Sequence, residues 1–442
     1  MSKKNNKKIP LLIGGICLIF SLATQAQSPR IIGLDHAVSL GILHSKQLKT
    51  DSISMLLTDS KIAQNRNPML PQLGLSLSYI RISDNITPFQ VSFPTGDVVL
   101  NPQTLNQSYN ALQVRQLIWA GDKVKLGGEL LVLDKKAIQA EMQKTKVDIA
   151  YSITNLWYTL FTVRQSEKLL KANIELLKNQ RENAQNLVKQ GVILANDVLK
   201  IDLAITTLQS NLSDIDNTQT LLKYNLCVLT GLDTQASIDI PETLPPTEPQ
   251  VDGLDQYLQN AFKNRAELRG LDVRKEQANV GMKLTKTNTL PTLSAGGSVN
   301  VDLPNQRLFP NEAKFTPTWN IGVFFNWNLT DIYTNKEKMK ESGLAISKLN
   351  SVFEQAKEGI VLEVNTDYNN FLQAKQKIQL AQKAVEQATE NFKVEEYKFK
   401  SQTTTATEFL NANTLLIQTQ INLTTAIANA ELAYRKLLKS TN

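Results

Sequence analysis

The sequence predicts a mainly α protein with a small β part, built as two tandem repeats of a strand pair and a long helical hairpin. One order of segments occurs twice: a helix, two proline-bounded strands, a very long helix, a short turn and a further helix. The interval from Leu34 to Pro71 equals that from Leu254 to Pro291. An internal repeat constrains the fold class more strongly than local propensity does. We therefore expect two structurally equivalent halves.

The long helices of the two halves share one ungapped register. We expect a first repeat over 27–230, a Pro-rich linker over 231–253, and a second repeat over 254–442. The corresponding positions include Trp157 with Tyr368, Lys189 with Lys400, Asp197 with Glu408, and Leu199 with Leu410. The shared order of segments supports the duplication more than any single identity does.

Residues 1–26 are predicted to be a secretory signal peptide. A lysine-rich start precedes an apolar stretch over 9–22, and small residues follow at Thr24 and Ala26. Lipid attachment at Cys17 is the competing interpretation. It needs a cleavage site directly before the cysteine, which the apolar surroundings do not favour. The sequence therefore predicts an exported chain.

Composition narrows the classes of partner. The formal charge of +7 falls to +3 once the signal peptide is removed, because that segment holds four lysines and no acid. The basic composition is thus no argument for nucleic acid, and we expect none as a partner. Only Cys227 remains after processing, so no intramolecular disulfide can form. Beyond the signal, no apolar run approaches the roughly 18 residues that a spanning helix needs.

Two proline-free segments, at about 122–189 and 333–400, are predicted to be single helices. Apolar residues recur in them at helical spacing, as at Leu126, Leu130 and Leu133. A helix of about 70 residues is roughly 100 Å long, which exceeds the interior of an ordinary globular domain. Turns are expected at Gly191 and within 401–405, because a new amphipathic segment follows each. Two long helical hairpins result.

Four short segments of alternating pattern lie between the helices and are predicted to be strands. Their bounds are about 72–82, 109–119, 292–302 and 318–329. The last is the most regular, and only Phe324 interrupts its polar face. Strands of about ten residues suit a tilted crossing of a bilayer. Aromatic residues near the strand ends suit a membrane-interface girdle: Tyr79, Tyr109, Trp119, Trp319 and Trp327.

The same alternation is also typical of a half-buried sheet in a soluble domain. Such a sheet would have to pack two distant strand pairs against long helices alone, so we favour membrane strands. An open sheet edge is not tolerated in lipid, and four strands cannot close a barrel around a channel. Three copies would supply twelve strands. The loops 83–108 and 304–317, polar and rich in proline, are expected on the outer side.

Two motifs accompany this plan: Gly-Val-Ile-Leu-Ala-Asn-Asp-Val-Leu at 191–199, and Gln-Leu-Ile-Trp-Ala-Gly-Asp at 116–122. With the signal peptide and the duplicated architecture, they make the chain resemble the TolC-like outer membrane efflux protein family, from about Leu34 to Lys439. The resemblance implies a homotrimer whose twelve-stranded β-barrel, with four strands per chain, continues into a periplasmic α-helical barrel. It implies an outer-membrane channel-tunnel exporting small molecules or proteins, as the exit duct of a tripartite efflux pump or type I secretion system.

The resemblance also implies partners and sites. The partners would be outer-membrane lipid, a periplasmic adaptor (membrane fusion protein) and an inner-membrane RND or ABC transporter. Acidic residues just after the tips narrow the tunnel in this family, and Asp197 and Glu408 occupy the matching positions. The chain departs from the pattern at Asn411, which is uncharged, at Gln402, which replaces the glycine of the first turn, and in the length of the loop around Asn311.

Both acids also have a structural interpretation, and the two roles are compatible. Thr405 and Glu408 have the spacing of a capping box, and Asp197 can stabilise the positive end of its helix. In a trimer, a ring of three carboxylates would attract cations. The tips, 189–196 and 400–407, are the expected adaptor contacts, with solvated turns as the alternative. Their candidate contact residues are Lys189, Gln190, Gly191, Lys400, Gln402 and Thr403.

No catalytic, cofactor or metal site is expected. His36 and His44 lie eight residues apart without a carboxylate or cysteine at ligand spacing, so we interpret them as surface residues or as residues of the belt around the long helices. Two other functions remain as alternatives. A periplasmic adaptor would have one hairpin flanked by Gly-rich β-domains, and an exported coiled-coil scaffold would leave the alternation of 318–329 unexplained. An enzyme is the least supported class.

Overall fold

The computed structural model describes residues 30–101, 103–243, 252–308 and 312–442. The predicted signal peptide, with Cys17, lies outside the described residues, as do residues 244–251 of the Pro-rich linker and Asn311. The elements of the first half are β1 (Arg30–Ile31), α1 (Leu34–His44), α2 (Lys46–Gln64), β2 (Gln72–Arg81), β3 (Phe89–Phe93), β4 (Gly96–Asn101), β5 (Asn106–Trp119), α3 (Lys123–Lys189) and α4 (Ala195–Thr230). Those that follow are β6 (Ile238–Asp239), α5 (Leu254–Asn264), α6 (Ala266–Lys286), β7 (Thr292–Leu303), β8 (Thr316–Asn326), α7 (Thr330–Lys400) and α8 (Ala406–Ser440).

The predicted duplication and the mainly α class are confirmed. Helices α1 and α2 correspond to α5 and α6, strands β2 and β5 to β7 and β8, and the hairpin α3–α4 to α7–α8. At 67 and 71 residues, α3 and α7 are each about 100 Å long. In the described chain, no helix is both long and apolar enough to cross a membrane.

The two repeats bury side chains at equivalent positions. Two clusters lie where the short helices pack on the long hairpins, and each contains one member of several repeat-related pairs: Ile153 and Val364, Leu160 and Phe371, Leu226 and Leu437, Trp157 and Tyr368, Ala37 and Tyr257. The side-chain volumes compensate within each pair of helices. The first repeat combines the small Ala37 on its short helix with Trp157 on the long one, and the second repeat has Tyr257 and Tyr368 there. The duplicated plan thus retains its packing although the residues have diverged.

Strands β2, β5, β7 and β8 form one antiparallel sheet in that order. Register places Leu75, Leu112, Val299 and Trp319 in one row across the sheet. This face is apolar and uncovered: Leu75 is 69% exposed and Trp319 is 73% exposed. The opposite face carries mainly serine, asparagine and glycine. One face therefore offers a band of apolar side chains with no partner in this chain.

The sheet places the predicted interface aromatics unequally. Tyr79, Trp119 and Trp319 lie on the apolar face. Tyr109 does not, since it stands opposite Asp302 on the polar face, where its hydroxyl donates to Gln107 Oε1 at 2.7 Å. The alternation of apolar and polar residues in β5 was too irregular to predict on which face of the sheet Tyr109 lies.

The last predicted strand ends earlier than its pattern suggests. Strand β8 stops at Asn326 rather than 329, and α7 begins at Thr330 rather than 333. Asn328 lies at this junction, where its side-chain oxygen accepts a hydrogen bond from the Thr330 amide at 3.2 Å, as in an Asx turn, and so favours a turn in place of further strand. Trp327 consequently lies after the strand, where its indole donates to the Thr289 carbonyl at 2.9 Å.

The predicted outer loop 83–108 contains a second hairpin, formed by β3 and β4. Its turn depends on Gly96, whose φ of +123° is unfavourable for other residues. The prolines within this segment gave the pattern of an irregular loop, so the sequence did not indicate the hairpin.

We expect Trp157→Phe to lower the free energy of unfolding by about 2 kcal/mol, through lost packing and an unpaired carbonyl. Trp157 is 2% exposed, and its indole nitrogen donates to the Ile32 carbonyl at 3.0 Å. This bond attaches the start of the described chain to α3. Chemical unfolding followed by circular dichroism in detergent measures the effect. Tyr224→Phe, at a position that is 52% exposed, is the control and should change little.

Candidate functional site at the hairpin tips

The two tips adopt the same turn although their sequences differ. Gly191 and Gln402 are both left-handed, with φ of +76° and +64°. Their amides donate to the carbonyls of Val188 and Phe399 at 2.9 and 3.1 Å. In both turns the next amide reaches the carbonyl five residues earlier, at 2.9 and 2.8 Å, as in a Schellman motif. The replacement of glycine by Gln402 therefore leaves the tip geometry unchanged.

The Glu395 carboxylate stabilises the second turn through two hydrogen bonds. Glu395 accepts hydrogen bonds from Lys398 Nζ at 2.8 Å and Thr404 Oγ1 at 3.0 Å. These bonds, the one from Lys398 first, lower the pKa of the Glu395 carboxyl below its usual value. The side chain is thus charged at neutral pH and links the end of α7 to the turn.

The other tip residues are largely open to solvent. Lys189 ends α3, and Gln190, Gly191 and Thr403 are exposed. Lys400 ends α7, with its ammonium 2.9 Å from the Glu396 carboxylate. A surface pair of this kind contributes little to stability. The apex therefore presents the exposed Leu194 together with polar groups and backbone that are not committed to strong contacts within this chain.

Asp197 and Glu408 occupy equivalent places but have different electrostatic surroundings. Asp197 is half-buried in the first turn of α4, and its carboxylate lies 3.3 Å from Lys200 Nζ. Glu408 is exposed in the first turn of α8, where its amide donates to Thr405 Oγ1 at 3.3 Å. In the second repeat, Asn411 occupies the position that corresponds to Lys200. Within the described residues, no Lys, Arg or His nitrogen lies within 4.0 Å of the Glu408 carboxylate, so its charge is uncompensated.

A shared core holds the two tips together. Phe409 stacks on Phe399 at 5.0 Å and contacts Phe392 at 5.8 Å, between ring centroids. The same buried cluster includes Ala184 and Ile201 of the first hairpin. Because both hairpins contribute, a displacement of one tip would disturb the packing of the other.

A buried pair of amides fixes the alignment of the hairpins below this core. Asn173 and Asn413, 7% and 2% exposed, exchange two side-chain hydrogen bonds of 2.8 and 3.1 Å. Gln180 adds a bond of 3.1 Å to Glu396 across the same boundary. A buried polar pair is costly in any other alignment, so it favours one arrangement of the helices.

The histidines lie far from the tips. The His36 ring is 3.2 Å from the Arg30 guanidinium, and His44 packs against Gly231. In the described part of the chain, no group of three or more His, Cys, Asp or Glu side chains is arranged to hold a metal ion.

Comparison with known proteins gives the architecture its context. Residues 257–442 match the family described as outer membrane efflux protein. The match covers the second repeat, which is less than half of the chain, and over these residues the chain is similar to that family. The match confirms the resemblance to outer membrane efflux proteins that the sequence carries.

Solved structures extend the likeness to both repeats. The outer membrane protein VceC from Vibrio cholerae is 16% identical, with a TM-score of 0.72 over 92% of this chain and 95% of that one. The open state of the MtrE outer membrane channel from Neisseria gonorrhoeae is 14% identical, with a TM-score of 0.70 over 92% and 88%. At these identities the likeness establishes the fold alone.

One relative found by sequence carries a name that describes export. Toxin and drug export protein A from Aggregatibacter actinomycetemcomitans is 24% identical over 255 residues. The match covers 56% of this chain and spans about half, 53%, of that protein.

We expect the Asn173–Asn413 pair to behave as a coupled unit. Asn173→Leu and Asn413→Leu should each lower the free energy of unfolding by about 2 kcal/mol, since each leaves a buried amide unpaired. The double variant should be less destabilised than the sum of the two, by about 1 kcal/mol or more. Denaturant unfolding of the four proteins gives the coupling. Additive effects would contradict the assignment, and Asn369→Leu on the exposed face of α7 is the control.

Gln402→Gly should stabilise the second tip by about 1 kcal/mol, because glycine adopts φ of +64° without the steric cost of a side chain. Hydrogen exchange of the amides at 402 and 403 should slow accordingly. Gly191→Gln is the mirror control and should speed exchange at the first tip. Equal exchange rates in the parent protein and the two variants would show that the left-handed conformation does not limit the stability of the turns.

Proposed function

We propose that three copies of this chain form an outer-membrane channel-tunnel, the exit duct of a tripartite efflux pump or type I secretion system. The observation that carries the proposal is the open four-stranded sheet. Its edge strands β2 and β8 lack a second neighbour within the described chain, and its apolar face is uncovered. In lipid, unpaired strand edges require closure, and three copies give twelve strands in one barrel. The long hairpins then continue as a periplasmic α-helical barrel.

Lipid contact follows from the two faces of the sheet. The apolar row through Leu75, Leu112 and Trp319 would face the hydrocarbon, and the polar face would line the lumen. Tyr79, Trp119, Trp319 and Trp327 would lie near the membrane interfaces, while Tyr109 would face the lumen. The signal peptide at 1–26 and the division at 231–253 into two repeats belong to the same proposal.

The hairpin tips would dock on a periplasmic adaptor, which connects the duct to an inner-membrane RND or ABC transporter. The tips lie at the end of the hairpins remote from the sheet, and the apex exposes Leu194 to 73% beside Gly191. Crosslinkers placed at Gln190 and Thr403 test the docking. Capture of only other copies of this chain would remove its support. The duct itself requires no catalytic group, cofactor or metal.

Small molecules or proteins would pass through the duct, and the family and the export relative support this class of cargo. Reconstitution of the mature protein in a planar lipid bilayer is the direct test. Discrete, long-lived conductance steps are expected. A protein that stays soluble without detergent and never inserts would favour the scaffold instead.

Glu408 would form the selective constriction, with Asn411 one turn further along the same face. Its charge is uncompensated, whereas Lys200 offsets that of Asp197, so the ring of three Glu408 carboxylates would be the stronger cation attractor.

Glu408→Gln is therefore expected to reduce the cation to anion permeability ratio by about threefold or more, and Asp197→Asn by clearly less. Reversal potentials across a salt gradient measure both variants. Asn411→Asp should restore part of the selectivity in the Glu408→Gln background. Equal effects of the two single substitutions would show that the lysine does not set the difference.

A further inference from the structure

The polar face of the sheet carries a charged and an aromatic residue that its pattern does not explain. Phe324 interrupts the alternation of β8, and register places it on the same face as Arg115, with Ser294 directly opposite it. The Arg115 guanidinium carbon lies 5.6 Å from the Phe324 ring centroid. This separation is that of a cation–π contact.

The local packing holds this pair in place. Arg115 Nε and Nη2 both donate to Ser294 Oγ, at 3.3 and 3.2 Å. Gly296 lies beneath the ring edge, where a Cβ would stand 2.7 Å from the Val114 carbonyl oxygen and 3.5 Å from Phe324 Cε2. A side chain there would clash with backbone, so the space beside the ring is kept open. Phe324 remains 47% exposed and Arg115 is also exposed.

Charge is sparse on this face. In the described strands of the sheet, the formally charged residues on the polar face are Arg115 and Asp302. Asp302 stands opposite Tyr109, six residues along β5 from Arg115, which places it roughly 20 Å away. Its carboxylate accepts a bond from the Asn110 amide at 3.3 Å. Arg115 is therefore not neutralised by the other charge, and its Nη1 edge remains available.

We propose that Arg115 and Phe324 form a lumenal binding site for small aromatic anions. The carboxylate or sulfonate of such a molecule pairs with the Nη1 edge of Arg115, and its ring contacts the exposed part of Phe324. The planar guanidinium suits this geometry better than an ammonium would. The lumenal position rests on the proposed trimeric duct, in which three such sites would ring the barrel.

Binding of 2-naphthoate to the detergent-solubilised full chain, measured by isothermal titration, tests the site without requiring a channel. Arg115→Gln should weaken binding about tenfold, and Phe324→Leu several-fold. Arg115→Lys should retain part of the affinity, and neutral 2-naphthalenemethanol should bind more weakly than the acid. Arg81→Gln is the matched control, because Arg81 lies on the opposite face at the end of β2, and it should leave the affinity unchanged.

Unchanged affinity in the Arg115→Gln protein would overturn the site. In bilayers, naphthoate should lower the single-channel current of the parent protein and not that of Arg115→Gln. A protein that binds naphthoate through Arg115 but forms no channels would keep the site and overturn the duct. Channels whose current is equally blocked in both proteins would keep the duct and overturn the site.

Discussion

Unpaired strand edges are the constraint on which the rest of this structure depends. A sheet of four strands leaves the outer edges of β2 and β8 without a second neighbouring strand in the described chain. In a membrane the backbone groups of such edges have no water to bond, and in the proposed trimer the edges pair with those of other copies. Within the chain, pairing of β5 with β7 joins the strand pairs of the two repeats into one continuous sheet and leaves only the two outer edges open.

The duplication solves the packing of the hairpins in two ways. Around the short helices, the repeats bury different residues at equivalent positions, and the larger Trp157 compensates for the small Ala37. Near the tips the two repeats share one cluster, because Phe399 and Phe409 pack with Ile201. A change at one tip must be transmitted to the other.

Much of the fold could be predicted because the signals were long or repeated. The helices of about 70 residues and the four strands follow from periodicity and from the equality of the two halves. The β3–β4 hairpin could not be predicted, since prolines and polar residues gave the pattern of a loop. The parity of Tyr109 and the end of β8 depended on register and on the Asn328 hydrogen bond, which act between residues that the pattern does not connect.

The candidate site could be predicted only in part from the sequence, because its properties also depend on contacts between residues that the pattern does not connect. Asp197 and Glu408 stand out because they align between the repeats, but alignment makes them look equivalent. The difference lies in Lys200 and Asn411, one turn away, and the sequence holds that signal: an acid with a lysine at i+3 in one repeat and without it in the other. Asn173 and Asn413 carried a weaker signal, as amides within apolar helix faces, because only contact between the hairpins makes them a pair.

The charge distribution along the proposed duct follows from these local differences. Glu408 is uncompensated near the tip, and Arg115 is uncompensated at the sheet, about 100 Å apart by the length of α7. At physiological ionic strength the two charges do not sense each other, since screening is complete within a few tens of ångströms. Each charge can therefore act on passing ions independently of the other. The proposed cation preference at the tip and the proposed anion site in the barrel are therefore compatible, because in a wide duct each ion responds to the charges near it rather than to the net charge of the whole protein.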